Sequence, residues 1–309
     1  MDNTPVISLC IPTNGVIEWV FPVLDSIFNQ GIDSSLYEVV ITDNGNNQDF
    51  KEKLKENYLN KYSNLVYAET NALPFLNEIE AYKLANGQLI KFVNHRTMLT
   101  EGALARLVSF ATENAEEKPI IYFANGVLKL EKAQHRYTNF DQFVRNLSYW
   151  SSWSTGMTIW KKDFENIPEK TEFNQLFPHT TILFRERNSK SYLIDNTVIM
   201  NELPVGKIAK GRYDLFYAFA VEYPGILLNL LMSGDITMET FLSVKEDNLE
   251  FLAKLYFDFV LRKIPCSYDL SSFKTSVEVF YSKTMVVSKV IKVVMKKAKE
   301  KIASAFRGK

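Results

Sequence analysis

The chain has 309 residues, 46% of them hydrophobic and 23% charged, which excludes an intrinsically disordered protein and supplies enough core for one large domain with an appendage. Twelve glycines and ten prolines exclude collagen-like and low-complexity architecture, and two cysteines far apart in the chain exclude a disulfide scaffold or a thiolate zinc site. The formal charge is zero, but residues 283–309 hold nine Lys/Arg and a single acid, Glu300, so the rest of the chain is net −8.

An acidic body argues against a broad nucleic-acid-binding face, whereas a short basic end argues for a local anionic partner. Cys10 and Cys266 read as small core hydrophobes of a reducing compartment. The opening MDNTPVISL has no basic region ahead of a long apolar stretch, and no segment reaches about 18 uninterrupted apolar residues. The expectation is a cytoplasmic chain that is neither secreted nor membrane-spanning.

Residues 6–12, VISLCIP, form a β-branched apolar run closed by Pro12, Asn14 and Gly15, which predicts a buried strand ending in a turn. Trp19, Val20, Val23, Leu24, Ile27 and Phe28 recur at helical spacing, and Asn29-Gln30-Gly31 supplies the stop. Tyr37–Thr42 is a second strand, halted by Asp43-Asn44-Gly45, so the first forty residues make a parallel β-α-β unit. A charged helix over 50–61, a strand over 65–68, a helix over 74–86, a strand over 88–93, a helix over 100–115 and a strand over 120–123 continue the alternation. Such alternation predicts an open α/β sheet whose ligand site lies beyond the carboxyl ends of the strands. Three places therefore matter: Pro12–Gly15, Asp43–Gly45 and Asn94–Thr97.

Beyond residue 124 the rhythm changes. A Trp-rich stretch occupies 149–156, a helix is predicted over 173–188 and a strand over 192–199. From 212 the chain reads as helical, with segments over 213–232, 237–243 and 246–263 divided by Gly234 and Ile264-Pro265. The expected organisation is a nucleotide-binding domain over 1–211, a helical region over 212–282 and a basic amphipathic helix over 283–309.

Taken together, VISLCIPTNG at 6–15, YEVVITDNG at 37–45, Asn71 with Asn77, LANGQLIKFV at 84–93 and LTEGALARLV at 99–108 resemble the family 2 nucleotide-sugar glycosyltransferases, in that family's order and spacing. Asn77 followed by a helix into Ala85-Asn86-Gly87 looks most like the abequosyltransferase-type branch that builds bacterial surface polysaccharides. The resemblance implies a GT-A fold, a Rossmann-like open mixed sheet with flanking helices, followed here by a helical C-terminal region. It implies an inverting transfer from a nucleotide-sugar donor, UDP-linked, to a surface glycan or its lipid-linked precursor. Pro12, Thr13 and Asn14 would line the base and ribose, and Asp43 would accept the uracil N3–H. For Asp43 a second reading stands beside this one, an Asx turn closing the strand.

The family ends the strand corresponding to 88–93 in an Asp-x-Asp cluster that holds a divalent metal. Here those positions are Asn94, His95, Arg96 and Thr97, and none is a carboxylate. A hard divalent cation needs oxygen ligands of high charge density, so no metal is expected. Either Arg96 and His95 replace the metal at the donor diphosphate, or the site has lost activity and the chain is a binding subunit or scaffold. A nucleotidyltransferase is disfavoured, since no Gly-rich basic phosphate loop follows the first strand.

On the acceptor side the family places an acidic base at the start of a helix, and the matching region is EFNQLFPHTTILF at 172–184. His179 sits where that base is expected, with Glu172 the second choice; the alternative is a histidine packing a helix start. Ser154-Thr155-Gly156 resembles the acceptor loop, where a glycine lets backbone approach a sugar, and Trp153 would offer a stacking face. In the tail, Val287, Val290, Ile291, Val294, Ala298, Ile302 and Phe306 follow three-and-four spacing with lysines between them. That pattern fits a helix lying on the anionic inner face of the cell membrane, each lysine contributing about 1 kcal/mol, or a helix packing on its neighbours.

Overall fold

The computed structural model describes residues 4–204 and 212–307. Alternation proceeds through β1 (Ile7–Thr13), α1 (Ile17–Phe28), β2 (Tyr37–Asp43), α2 (Gln48–Leu54, continued by a π-helical turn to Leu59), β3 (Leu65–Glu69), α3 (Asn77–Leu84) and β4 (Leu89–Phe92). It continues with β5 (Thr97–Leu99), α4 (Ala103–Glu113), β6 (Ile120–Phe123), β7 (Gln134–Tyr137), α5 (Phe140–Leu147), β8 (Thr158–Trp160), α6 (Lys161–Glu165), α7 (Pro178–Leu183), β9 (Tyr192–Asp195) and β10 (Met200–Glu202).

The main sheet has the order β3-β2-β1-β4-β8, parallel except for β8. Its inner strands are covered on both faces, which is why VISLCI and VVI are continuous apolar runs rather than alternating ones. β1 and β2 run in register to Thr13 opposite Asp43, whereas β4 pairs with β1 only as far as Cys10 opposite Phe92. The last three residues of β1 thus have no neighbour on the β4 side. That step tolerates Pro12, which has no N–H to give, inside a central strand. It also leaves room for the 94–97 turn, closed by the Thr97 amide on the Asn94 carbonyl.

Two smaller sheets complete this part. β6, β9 and β7 form one, with β9 central, and β5 pairs antiparallel with β10 in the other. The helix expected over 173–188 is confined to α7, because the extended loop before Pro178 is held by Asn174, whose side chain accepts from the amides of Leu176 and Phe177. Cys10 is buried, but Cys266 is exposed, so only the first is a core residue.

The described residues divide into two compact units: residues up to Phe143 with Trp150–Pro204, and Val144–Tyr149 with the residues from 212 onward. The domain boundary expected at 211/212 borders residues 205–211, which lie outside the described residues. The second unit contains α8 (Leu215–Tyr217), a π-helical turn, α9 (Tyr223–Met232), α10 (Met238–Leu255, continued by a π-helical turn to Leu261), α11 (Phe273–Phe280) and α12 (Lys283–Arg307). The two helices expected over 237–243 and 246–263 are one, since nothing between them breaks a helix and Val244 is part of the buried face. Leu215–Met232 is long and apolar enough to cross a membrane by length and composition. Phe216, Ala220, Leu227 and Leu230 are nevertheless buried, as in a core helix. The core of this unit joins Phe216, Leu249, Leu252, Val277, Tyr281, Val286 and Val290.

Candidate functional site

The carboxyl edge of the main sheet is tied together by one amide. Asn77, 1% exposed at the start of α3, donates to the carbonyls of Thr13 (3.3 Å) and Thr42 (2.8 Å) and accepts from the Thr70 hydroxyl (2.7 Å). It therefore clamps the ends of β1, β2 and the loop after β3. Both of its amide protons are engaged within the protein. Asn14 and Asn71 are exposed on the loops after β1 and β3, and Pro12 is half-buried near the end of β1.

Asp43 is fully buried at the end of β2. One carboxylate oxygen accepts from the Gly45 amide at 2.8 Å, which is the Asx turn, and the other accepts from the Tyr67 hydroxyl at 3.1 Å. Burial holds its pKa above the ordinary carboxylate value, while the Gly45 amide and Tyr67 oppose that shift. The turn needs glycine at 45, because a Cβ there would overlap the Asn14 carbonyl.

Across the step from β4 stand His95 and Arg96, both half-buried. His95 Nδ1 lies 2.9 Å from the Thr13 hydroxyl, which also accepts from the Gly15 amide. Trp19, on the first turn of α1, underlies both residues: its ring is 5.0 Å from the His95 ring and 5.3 Å from the Arg96 guanidinium carbon. The Arg96 backbone is fixed as well, its amide donating to the Asn94 side chain and its carbonyl accepting from Leu203. Among the described residues no carboxylate lies within ion-pair distance of the guanidinium. Burial, then the neighbouring Arg96 charge, pushes the His95 pKa down to about 3, so its imidazole is neutral near pH 7. Its ring then offers a neutral hydrogen-bonding nitrogen.

These residues do not suit a divalent cation. The turn presents an amide that is already bonded, a neutral imidazole against a hydroxyl and a guanidinium, and among the described residues no three His, Cys, Asp or Glu side chains converge. What the arrangement can do is bind an anion: a forked cation held on an aromatic face, beside backbone turns at strand ends.

The loop over 150–157 is built from inside. Tyr122 donates its hydroxyl to the carbonyls of Trp150 and Trp153, Thr180 to Ser151 (2.9 Å), and His179 Nε2 contacts the Ser152 carbonyl (2.9 Å). Lys91, wholly buried on β4, donates to the carbonyls of Phe92 (2.8 Å), Thr155 and Met157 (3.4 Å). The three N–H bonds of the ammonium match three carbonyls, and among the described residues no carboxylate joins them. Burial pulls its pKa down to about 7.

This packing fixes where the acceptor-side residues lie. Thr155 and Gly156 are buried, and a Cβ at 156 would overlap the Tyr122 ring. Trp153 and Ser154 keep partial exposure. His179 is 4% exposed, with Nε2 on Ser152 and Nδ1 facing Glu78 Oε1 at 3.6 Å without a hydrogen bond, so it packs the start of α7. Glu172 is exposed on the loop ahead of α7.

Trp19, Lys91, Tyr122 and Glu78 are absent from the sequence-based site. Only Lys91 leaves a trace, a lone cation inside the apolar run LIKFV. Trp19 reads there as one more core position of α1, and the contact with Arg96 joins residues 77 apart in sequence.

No protein-family model and no curated protein matches the chain. Among solved structures it is similar to S. aureus TarS 1–349 in complex with UDP, at TM-score 0.55 and 15% identity over 93% of this chain and 88% of that one. The same fragment in complex with UDP-GlcNAc gives 0.52 and 15% over 89% and 91%. A mannosyltransferase, PcManGT from Pyrobaculum calidifontis in complex with GDP-Man and Mn2+, gives 0.49 and 11% over 95% and 88%. Against a longer TarS chain, this chain spans 44% of its length. The likeness does not single out the abequosyltransferase-type branch. It is one of architecture, and with the sheet order above it shows that the chain has the GT-A glycosyltransferase fold.

Proposed function

We propose that the chain is a glycosyltransferase that moves a sugar from a UDP-linked donor, with Arg96 rather than a bound metal facing the diphosphate. The observation that carries this reading is the Arg96 guanidinium, unpaired with any carboxylate among the described residues and seated on Trp19 at the step between β1 and β4. As the sugar–oxygen bond breaks, negative charge builds on the leaving diphosphate. A preorganised fork of N–H donors stabilises that charge without reorganising, an effect typically of 10²–10³ in rate for a single donor (about 3–4 kcal/mol). Neutral His95 adds a hydrogen bond and no charge. The UDP and UDP-GlcNAc complexes of the TarS fragment, a chain of the same fold, favour uridine.

The transfer is inverting, the acceptor a bacterial surface glycan or its lipid-linked precursor, and the enzyme sits peripherally on the cytoplasmic face of the membrane through α12. Val287, Ile291, Val294 and Met295 support that placement, since all four are exposed. The side chains of Lys301, Ile302 and Phe306 lie outside the described residues. Transfer or hydrolysis of UDP-sugars in excess chelator tests the mechanism: activity that persists supports it, and activity restored only by a divalent cation refutes it.

The competing reading, a binding subunit without turnover, gains from one observation: His179 is buried with Nε2 already engaged. Tight UDP binding with no transfer to any acceptor extract would favour it.

A further inference from the structure

α12 carries two apolar faces. Val286 and Val290 are buried in the core of the second unit, whereas Val287, Ile291, Val294 and Met295, spaced i, i+4, i+7 and i+8, are 40–56% exposed along one stripe. Between α11, the end of α10 and α12 lies a cavity of about 460 Å³, lined by Tyr256, Phe273, Val277, Val287, Val290 and Ile291. Val287 and Ile291 belong to both the stripe and the cavity wall, so the exposed face and the groove are continuous.

The charges around this surface are of one sign where they are free. Lys283 pairs with Glu278, Lys289 with Glu246 and Glu250, and Lys297 with Glu300. Lys274, which lines the groove, and Lys292, Lys296 and Lys299, which follow the stripe along α12, have no carboxylate within ion-pair distance among the described residues. An apolar slot opening onto unpaired lysines is complementary to an amphiphile with a negative head.

We propose that the groove between α11 and α12 receives an acyl chain of an anionic membrane lipid, with the stripe lying against neighbouring chains and the lysines against headgroup phosphates. This deepens the membrane placement proposed above and rests on it, but not on the transfer reaction. A stripe alone adsorbs to a surface; a groove continuous with it adds a position for one chain to leave the bilayer and enter the protein.

The test uses the full chain with phosphatidylcholine vesicles, with and without phosphatidylglycerol. Sedimentation is expected to show binding only to the anionic vesicles. Val287→Glu with Ile291→Glu, both at exposed positions, should weaken it at least tenfold, and Lys292→Gln or Lys296→Gln about fivefold each. Phe273→Trp places an indole in the groove, and phosphatidylglycerol brominated on its acyl chains should quench it beyond the quenching seen in the unsubstituted chain. Absence of binding, binding indifferent to the glutamate pair, or an unquenched groove indole on bound protein would each overturn the proposal. So would a lipid-free dimer abolished by the same pair, which would make the stripe a contact between copies. A chain that binds lipid this way but transfers no sugar would leave this inference standing and refute only the enzymatic reading.

Discussion

The guanidinium carbon of Arg96 lies 5.3 Å from the centroid of the Trp19 ring, joining the first turn of α1 to the turn after β4. The ring shields one face of the cation and leaves its edge for an anion, so the charge is positioned before any ligand arrives. Trp19→Leu keeps the cation and removes its platform. A cation–π contact of about 0.5–2 kcal/mol predicts a roughly three- to thirtyfold loss of UDP affinity, with Trp19→Phe intermediate. Calorimetric titration of the two variants checks this, with thermal unfolding run alongside to separate loss of packing from loss of positioning.

His95 gives a pH signature. Its pKa is held at about 3, against about 6.5 for an ordinary imidazole, so between those values the unfolded chain binds a proton that the folded chain refuses. The stabilisation is therefore complete above pH 6.5 and lost as pH falls towards 3. Allowing for solvent at the half-buried ring, the loss is on the order of 2 kcal/mol, and His95→Asn should flatten that limb of the denaturation profile. A diphosphate beside the ring would favour its charged form, so UDP binding near pH 5 is expected to take up a proton. Titration in buffers of different ionisation heat measures that uptake.

Lys91 predicts the opposite limb. Burial brings its pKa to about 7, against about 10.4 in the unfolded chain, so the unfolded state binds more protons between these values. Stability from this group rises with pH across that window, and Lys91→Met removes the slope. The variant also leaves three carbonyls without their donor, at a cost of about 1–3 kcal/mol. The gap between wild type and variant should be smallest near pH 6 and largest near pH 10 in urea denaturation.

Gly156→Ala tests how the 150–157 loop is held. The added methyl meets a Tyr122 ring anchored by two carbonyls, so neither partner can yield cheaply. The expected cost is about 2–3 kcal/mol, and Gly156→Ala with Tyr122→Leu should recover part of it. Equal instability of the single and double variants would show that the ring is not the constraint.

The strands of the first half are legible in sequence because a strand covered on both faces must be apolar throughout, and Pro12, Asp43 and Gly87 punctuate their ends. VISLCIP and YEVVIT fall within a residue of β1 and β2. β5, β7, β8 and β10 are not legible: they are three or four residues long, and TML or TIW has too few positions to show a period. Arg96 and His95 stand out in sequence because they occupy places where carboxylates were expected. What Asn77, His179 and Gly156 do is hidden, since Asn77 reaches Thr13, 64 residues away, His179 reaches Ser152, 27 residues away, and Gly156 meets a ring that fills the space. Motif reading finds the residues near the edge of the sheet but does not distinguish those that face it from those that hold it together.

Titrating UDP into the chain in excess chelator, with wild type and Arg96→Ala side by side, tests the cationic site most directly. A charge-assisted hydrogen bond to the diphosphate of about 1.5–3 kcal/mol predicts binding by the wild type without metal and a loss of roughly ten- to 150-fold in the variant. Equal affinities for the two chains, or binding that returns only when a divalent cation is restored, would contradict it.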